Sequence, residues 1–190
     1  MGDGFRNWYH QLAARVALAN GLSSDAEYHR QEMFRYNFPG WIVTDVSSLV
    51  VSAKVLASQG RCPESRETIA DALTRARQAD SPLAIFMAMF AQCELGLAEG
   101  SGVDSAGLAE CLRLGAAHEI LNCYSWDRQG LERVCEDALR AGVEPRYALS
   151  LISAHRLRPP RRRTTAVAWP DHIVVRTLRN AGTFAYGKAA

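Results

Sequence analysis

The sequence predicts an all-α chain, an α-α superhelix of about four helix pairs followed by a short C-terminal β-hairpin or extended tail. Three observations predict it. Apolar residues recur at helical spacing along most of the first 158 residues, and nowhere in that stretch does strand-like alternation persist. Glycines close apolar stretches at Gly21, Gly60, Gly100 and Gly142, with separations of 39 (60−21), 40 (100−60) and 42 (142−100) residues. Beyond Pro159-Pro160 the pattern changes, and β-branched residues replace the helical period.

The stretch from Trp126 to Pro160 shows the unit most clearly. Leu131, Val134, Cys135, Ala138 and Leu139 fall on one face of a helix. Gly142 ends it, because a residue without a Cβ takes the left-handed conformation that closes a helix, and Arg140 suits the negative end of the helix dipole. Glu144-Pro145 opens the next helix, with proline where its missing N–H costs nothing. Ala148, Leu151, Ile152 and His155 continue the spacing until Pro159-Pro160 stops it. Two such short helices cannot each bury a face alone, so the other glycine-ended units are their neighbours. A repeat of roughly 40 residues built as helix, turn, helix has the size of a tetratricopeptide-like or HEAT-like solenoid unit. Four ordinary helix C-caps in an unrelated bundle are the alternative reading.

In chain order, Phe5 to Asn20 form a first helix with Trp8, Leu12, Val16 and Ala19 along one side, closed by Gly21. Ser23, Ser24 or Asp25 caps a second helix that runs through Tyr28, Met33 and Phe34 to Asn37. Aromatic residues concentrate here: Trp8, Tyr9, Tyr28, Phe34, Tyr36, Phe38 and Trp41, with Pro39-Gly40 as a break. They read either as a ligand or partner groove or as an end cap or large-residue core under the first repeat. Thr44 or Asp45 caps a third helix with Leu49, Val50, Ala53, Leu56 and Ala57 on one face, and Pro63 starts a fourth with Ile69, Ala72, Leu73 and Ala76. Its alanines suit the close crossing of paired helices in a solenoid. Ser81-Pro82 supplies cap and first residue of the fifth helix, which is apolar nearly all round and therefore central. Met87 and Met89 fit core filling, with an adaptable binding surface as the alternative. A loop and cap at 101–105 lead to a sixth helix through Leu108, Cys111, Leu112 and Gly115 toward Ile120.

Composition narrows the function class. Hydrophobic residues make up 48% and charged residues 22%, which argues against wholesale disorder, and 190 residues suffice for one domain or one plus a short appendage. The domain division is 1–158 helical repeats, 159–171 a basic Pro/Arg-rich linker, and 172–190 the hairpin or tail. Five cysteines without a C-x-x-C pair, with Cys93, Cys111, Cys123 and Cys135 mostly on apolar helix faces, imply reduced, buried thiols and a cytoplasmic protein. Neither a cleavable apolar leader nor a run of about 18 apolar residues is evident, so no membrane partner is expected.

No reaction is specified. His118-Glu119 lacks the second histidine of a zincin, His10, His29, His118, His155 and His172 share no metal-ligand spacing, and there is no phosphate loop, dinucleotide fingerprint or nucleophile elbow. No metal or other cofactor is expected. Asp127, Glu132 and Glu136 read as a solvated helix face paired with Arg128 and Arg133 rather than as an acid site. Between Glu144 and Asp171 there is no acidic residue but there are Arg146, Arg156, Arg158, Arg161, Arg162 and Arg163. This segment is either a solvated linker or a salt-sensitive contact to nucleic-acid phosphates. His172 to Leu178 and Thr183 to Tyr186 read as strands around a turn at Gly182, a hairpin that must pack on the helices or pair with another chain.

ERVCEDALRAGVEPRYALSLISAHRLRPP, a linker, and AWPDHIVVRTLRNAGTFAY resemble the end of the tetratricopeptide-like region in bacterial transcriptional regulators of the MalT/LuxR-like class. Similar segments there precede the first strands of an OmpR-like or bacterial transcriptional activation domain. The upstream repeats share only architecture with that family. The resemblance implies helical repeats that receive a signal or a partner protein, beside a separate nucleotide-binding switch and a DNA-binding winged helix. This chain carries no nucleotide-binding motif and stops where the winged helix would begin, so a truncated or stand-alone sensor module is expected. The expected function is therefore a non-catalytic protein-interaction or signal-sensing module, not an enzyme, with a protein or a small-molecule effector as partner. The first helix of each pair would line a concave groove, which nominates Tyr124, Trp126 and Arg128, with Trp126 as core packing the competing role. The alternative is a nucleic-acid-binding accessory protein using Arg158, Arg161, Arg162 and Arg163. A homodimer through the C-terminal hairpin is a further reading.

Overall fold

The computed structural model describes residues 2–36, 40–100 and 104–158. Among them are eight α-helices and no strand: α1 (Asp3–Ala19), α2 (Ser23–Arg35), α3 (Ile42–Ser58), α4 (Cys62–Gln78), α5 (Pro82–Glu99), α6 (Ser105–Ala117), α7 (Arg128–Ala141) and α8 (Pro145–His155). Phe38, the linker 159–171 with Arg161, Arg162 and Arg163, and the hairpin expected over 172–190 lie outside the described residues.

Local chemistry sets most helix ends. The four periodic glycines all take left-handed φ, between 67° and 75°, each just past the first helix of a pair. Ser81 Oγ accepts from Ala84 N–H and caps α5, Asp104 caps α6, and Asp127 caps α7 by accepting from Gly130 N–H at 2.7 Å. Pro63, Pro82 and Pro145 occupy first turns. Three ends differ from expectation. α3 begins at Ile42, ahead of Thr44 and Asp45, and Asp45 instead pairs with Arg75 at 3.1 Å. α2 stops at Arg35, short of Asn37, and α6 stops at Ala117, freeing residues 118–127 as a ten-residue connection.

Helices pack as antiparallel neighbours in the order α1/α2, α3/α4, α5/α6 and α7/α8, and each pair packs mainly on the next. α5 touches α3, α4, α6 and α7, as an all-round apolar helix should. By length and composition it is apolar enough to cross a membrane, but here it forms the middle of the packed set. Phe86, Met87, Met89 and Phe90 are buried there with Ala72, Ala76, Leu112, Val134, Leu151 and Ile152. Cys93, Cys111, Cys123 and Cys135 are buried and free, and Cys62 is half-buried and free.

α1 is turned opposite to its apolar pattern. Phe5, Trp8, Leu12 and Val16 face solvent, while Asn7, Gln11, Ala14 and Ala17 are buried. The buried amides are hydrogen-bonded: Asn7 Nδ2 donates to the Met33 carbonyl at 2.7 Å, and Gln11 Nε2 donates to Asn7 Oδ1 at 2.6 Å and to Ser48 Oγ at 2.9 Å. Ser47 Oγ donates to Gln11 Oε1. A satisfied network of this kind fixes the rotation of α1 against α3, since turning the helix would strand two buried amides, whereas Ser47 and Ser48 would keep their bonds to the Thr44 carbonyl.

Candidate functional site

The connection 118–127 runs back across the first helices of the earlier pairs, held by polar anchors along its last turn. Tyr124 Oη donates to the Val43 carbonyl of α3 at 3.3 Å. Arg15 Nη2, from α1, donates to the Trp126 carbonyl at 2.7 Å, and Lys54 Nζ, from α3, donates to the Ser125 carbonyl at 3.0 Å. His155 Nε2, at the end of α8, donates to the Leu121 carbonyl at 2.7 Å.

Below the connection sits a buried charge cluster that sequence reasoning missed. Lys54 Nζ lies 2.6 Å from Glu94 Oε2 of α5 and 3.2 Å from Asp127 Oδ2. Lys54 and Glu94 are almost entirely buried, whereas the Asp127 side chain is half exposed. Burial pushes the Glu94 carboxyl up to about 7, with Asp127 adding to the rise and Lys54 opposing it. For Lys54, burial works against the ammonium, but the two carboxylates outweigh it and hold its pKa above the ordinary value. Burial likewise opposes ionisation of Asp127, yet Lys54 and the Gly130 N–H keep its pKa low. Glu94 Oε1 accepts no hydrogen bond and abuts the Cα of Gly130. The signal was a carboxylate within the apolar run of α5, away from its ends, because such a residue is buried only with a partner.

Beside this cluster is a cleft of about 270 Å³ lined by Arg15, Tyr124, Trp126, Arg128, His155 and Leu157, among others. The three residues nominated for a groove, Tyr124, Trp126 and Arg128, thus border the same space. Tyr124 and Trp126 belong to the connection, and only Arg128 lies on α7. Trp126 is 7% exposed, with its ring 5.0 Å from Phe90, 5.8 Å from Phe86 and 5.5 Å from His155, so it is also core. Its indole Nε1 is buried without a hydrogen-bond partner. Arg128 bonds Glu132 Oε1 at 3.1 Å and the Arg156 carbonyl. Arg15 is half-buried and, among the described residues, pairs with no carboxylate.

Of the four arginines nominated for nucleic acid, Arg158 alone is described; it is exposed, and its backbone N–H donates to Glu132 Oε1 at 3.2 Å. Asp127, Glu132 and Glu136 do not form one patch, since Asp127 caps α7 and faces Lys54 while Glu132 binds Arg128. A second trough, about 530 Å³, lies between α4, α5 and α6, where Arg66 pairs with Glu99 at 3.4 Å. It is larger, but both of its cations are already matched, Arg66 to Glu99 and Arg77 to Glu110 at 3.8 Å.

The Cys111, Cys123 and Cys135 thiols have the wrong electrostatics for nucleophiles. A hydrogen bond with Cys93 and burial keep the Cys111 thiol protonated, and burial pushes Cys135 up to about 12. No group of three or more metal-ligating side chains occurs among the described residues. Comparison of the chain with protein-family models, characterised proteins and solved structures gave no match.

Proposed function

We propose that this chain is a non-catalytic, tetratricopeptide-like sensing module whose signal is a small organic anion held in the cleft under the connection 118–127. The observation that carries the reading is the state of the cleft's charges. Arg15 lines the cleft half-buried and, among the described residues, is ion-paired with no carboxylate, while Asp127, which lines the same cleft, is paired with Lys54. A carboxylate or phosphate in the cleft would give the Arg15 guanidinium a counter-charge and a charge-assisted hydrogen bond. Aromatic and aliphatic walls from Tyr124, Trp126, Leu131 and Leu157 suit an apolar body of modest size. The glycine period and the pairwise packing support the superhelix, and the resemblance of the C-terminal segments to MalT/LuxR-like regulators supports a sensory role.

Native mass spectrometry of freshly purified protein, compared with its denatured mass, is the direct test, followed by titration of the protein with benzoate and with inorganic phosphate. A retained small mass, or saturable binding that Arg15→Gln weakens about tenfold, supports the reading. Absence of both, in a protein whose helical signal is intact, overturns it. A second reading, nucleic-acid binding, is favoured by one observation: residues 159–190 carry Arg161, Arg162, Arg163, Arg176, Arg179 and Lys188 against the single acid Asp171. It requires affinity for DNA that falls steeply with salt.

A further inference from the structure

The apolar stripe of α1 points to a second site, unconnected with the cleft. Phe5, Trp8, Tyr9, Leu12 and Val16 lie at helical spacing and are each between 44% and 53% exposed. The repeat explains what kind of face this is. The 39-residue interval between Gly21 and Gly60 carries these five positions onto Thr44, Ser47, Ser48, Val51 and Val55 of α3. Those are the α3 residues that receive the preceding pair: Thr44, Ser47 and Ser48 bond Gln11, while Val51 and Val55 pack on Ala14, Ala17, Ala26 and Met33. On α1 the equivalent face is built from larger apolar side chains and, among the described residues, has no helix against it.

The opposite end of the stack is made differently. α7 and α8 expose no large apolar side chain, and α7 ties its surface in Arg128–Glu132 and Arg140–Asp137 pairs. Among the described residues, one end therefore has the polar finish of a capping repeat and the other does not. Head-to-tail stacking would set the charged α7 surface against the apolar α1 stripe. An isologous contact sets the stripe against itself.

We infer that α1 is a homodimerisation surface, with two copies packing their Phe5–Val16 stripes antiparallel about a two-fold axis. The stripe suits this pairing, because its bulky end, Phe5 and Trp8, then meets the smaller end, Leu12 and Val16, of the second copy, and neither brings a charge to the centre. The five side chains alone expose roughly 450 Å². That is more than half of the roughly 800 Å² each partner contributes to a stable interface, leaving the remainder to the polar rim.

The test is the solution mass of the full chain, by light scattering at micromolar concentration. The expected species has the mass of two 20.9 kDa chains, and Trp8→Glu or Leu12→Glu shifts it to one. Both positions are half exposed, so the variants should keep the wild-type circular dichroism; two sites guard against either one failing to fold. A wild-type monomer overturns the inference and assigns the stripe to a different partner. A dimer that survives both folded variants also overturns it, because the contact then lies elsewhere.

Discussion

Gly107 and Gly130 offer a matched comparison. Each stands three residues after an aspartate N-cap and donates its N–H to that aspartate, at 3.2 Å in α6 and 2.7 Å in α7. Neither has positive φ, so an alanine is conformationally acceptable at both and gains up to about 1 kcal/mol of helix propensity. The surroundings differ. A Cβ on Gly107 would meet only Asp104 Oδ2, at an ordinary 3.7 Å, whereas one on Gly130 would lie 2.8 Å from Glu94 Cδ and closer still to Glu94 Oε1. Glu94 is pinned 2.6 Å from Lys54 in a buried setting, so it cannot step aside without giving up that contact. Overpacking of this kind costs about 1–3 kcal/mol, and a displaced charge-assisted hydrogen bond about 1.5–3 more. Gly130→Ala should therefore lose a net of about 1.5–5 kcal/mol, a fall in Tm of roughly 3–20 °C for a chain of this length. Gly107→Ala should be neutral or slightly stabilising. Thermal unfolding followed at 222 nm compares the two directly. If Gly130→Ala gains stability as Gly107→Ala does, the placement of Glu94 against α7 is wrong.

Other perturbations probe separate parts of the molecule. Gly115→Ala would place a Cβ 2.6 Å from Phe86 Cε2 and Tyr147 Cζ in the core, with an expected loss of at least about 3 kcal/mol by urea titration; a neutral result would mean α6 and α8 are not so closely packed. Tyr147→Phe removes the 2.6 Å bond to the Ile120 carbonyl and should cost about 1–2 kcal/mol, read in the same titration. Asn7→Ala strands acceptors of the buried amide network and should cost about 1–3 kcal/mol; an unchanged midpoint would indicate that α1 is not locked by it. The pH test uses Glu94→Gln. A carboxyl raised to about 7 keeps its proton in the folded chain while the unfolded chain, near 4.5, has released it, so its contribution to stability falls as pH rises between those values. Relative to wild type, the glutamine variant should gain stability from pH 4.5 to pH 7, by up to about 3 kcal/mol. A difference that is flat, or that grows toward low pH, contradicts the raised value.

Helix positions were legible in the sequence because their causes are local. A glycine that must be left-handed, or a proline in a first turn, acts within a few residues, and Gly142-Val143-Glu144-Pro145 marks the α7–α8 turn whatever packs on it. The centrality of α5 was legible for a similar reason, since Phe86, Phe90 and their neighbours leave it no polar side to expose. Lys54, Glu94 and Asp127 were not, because their partnership spans three elements and depends on where the connection 118–127 returns. Periodicity sees one helix at a time. It cannot tell that a lysine in α3 and a glutamate in α5 face the same point.

α1 carries that limit furthest. Its apolar residues form a regular stripe, and the hydrophobic effect taken alone would bury Trp8 and Leu12. Two amides and two serines decide otherwise. Asn7 and Gln11 find complementary partners only on α3 and at the end of α2, and leaving any of them buried without a bond would cost about 1–3 kcal/mol each. Once they are satisfied, the rotation of the helix is set, and the apolar stripe has nowhere to face but outward. In a chain that completes its own fold this arrangement exposes surface for no gain. It becomes favourable when a second surface covers the stripe, because the polar layer then fixes the register and the apolar layer supplies the driving force. The polar core of the first repeat and the exposed face of α1 are thus two sides of one rotational choice. A variant that replaces Asn7 and Gln11 together with leucine would release it. The helix would then be free to turn its stripe inward, and the solution mass should move from two chains toward one, although no residue of the stripe itself has changed. A double variant that remains folded and stays dimeric would separate the amide layer from the orientation of α1.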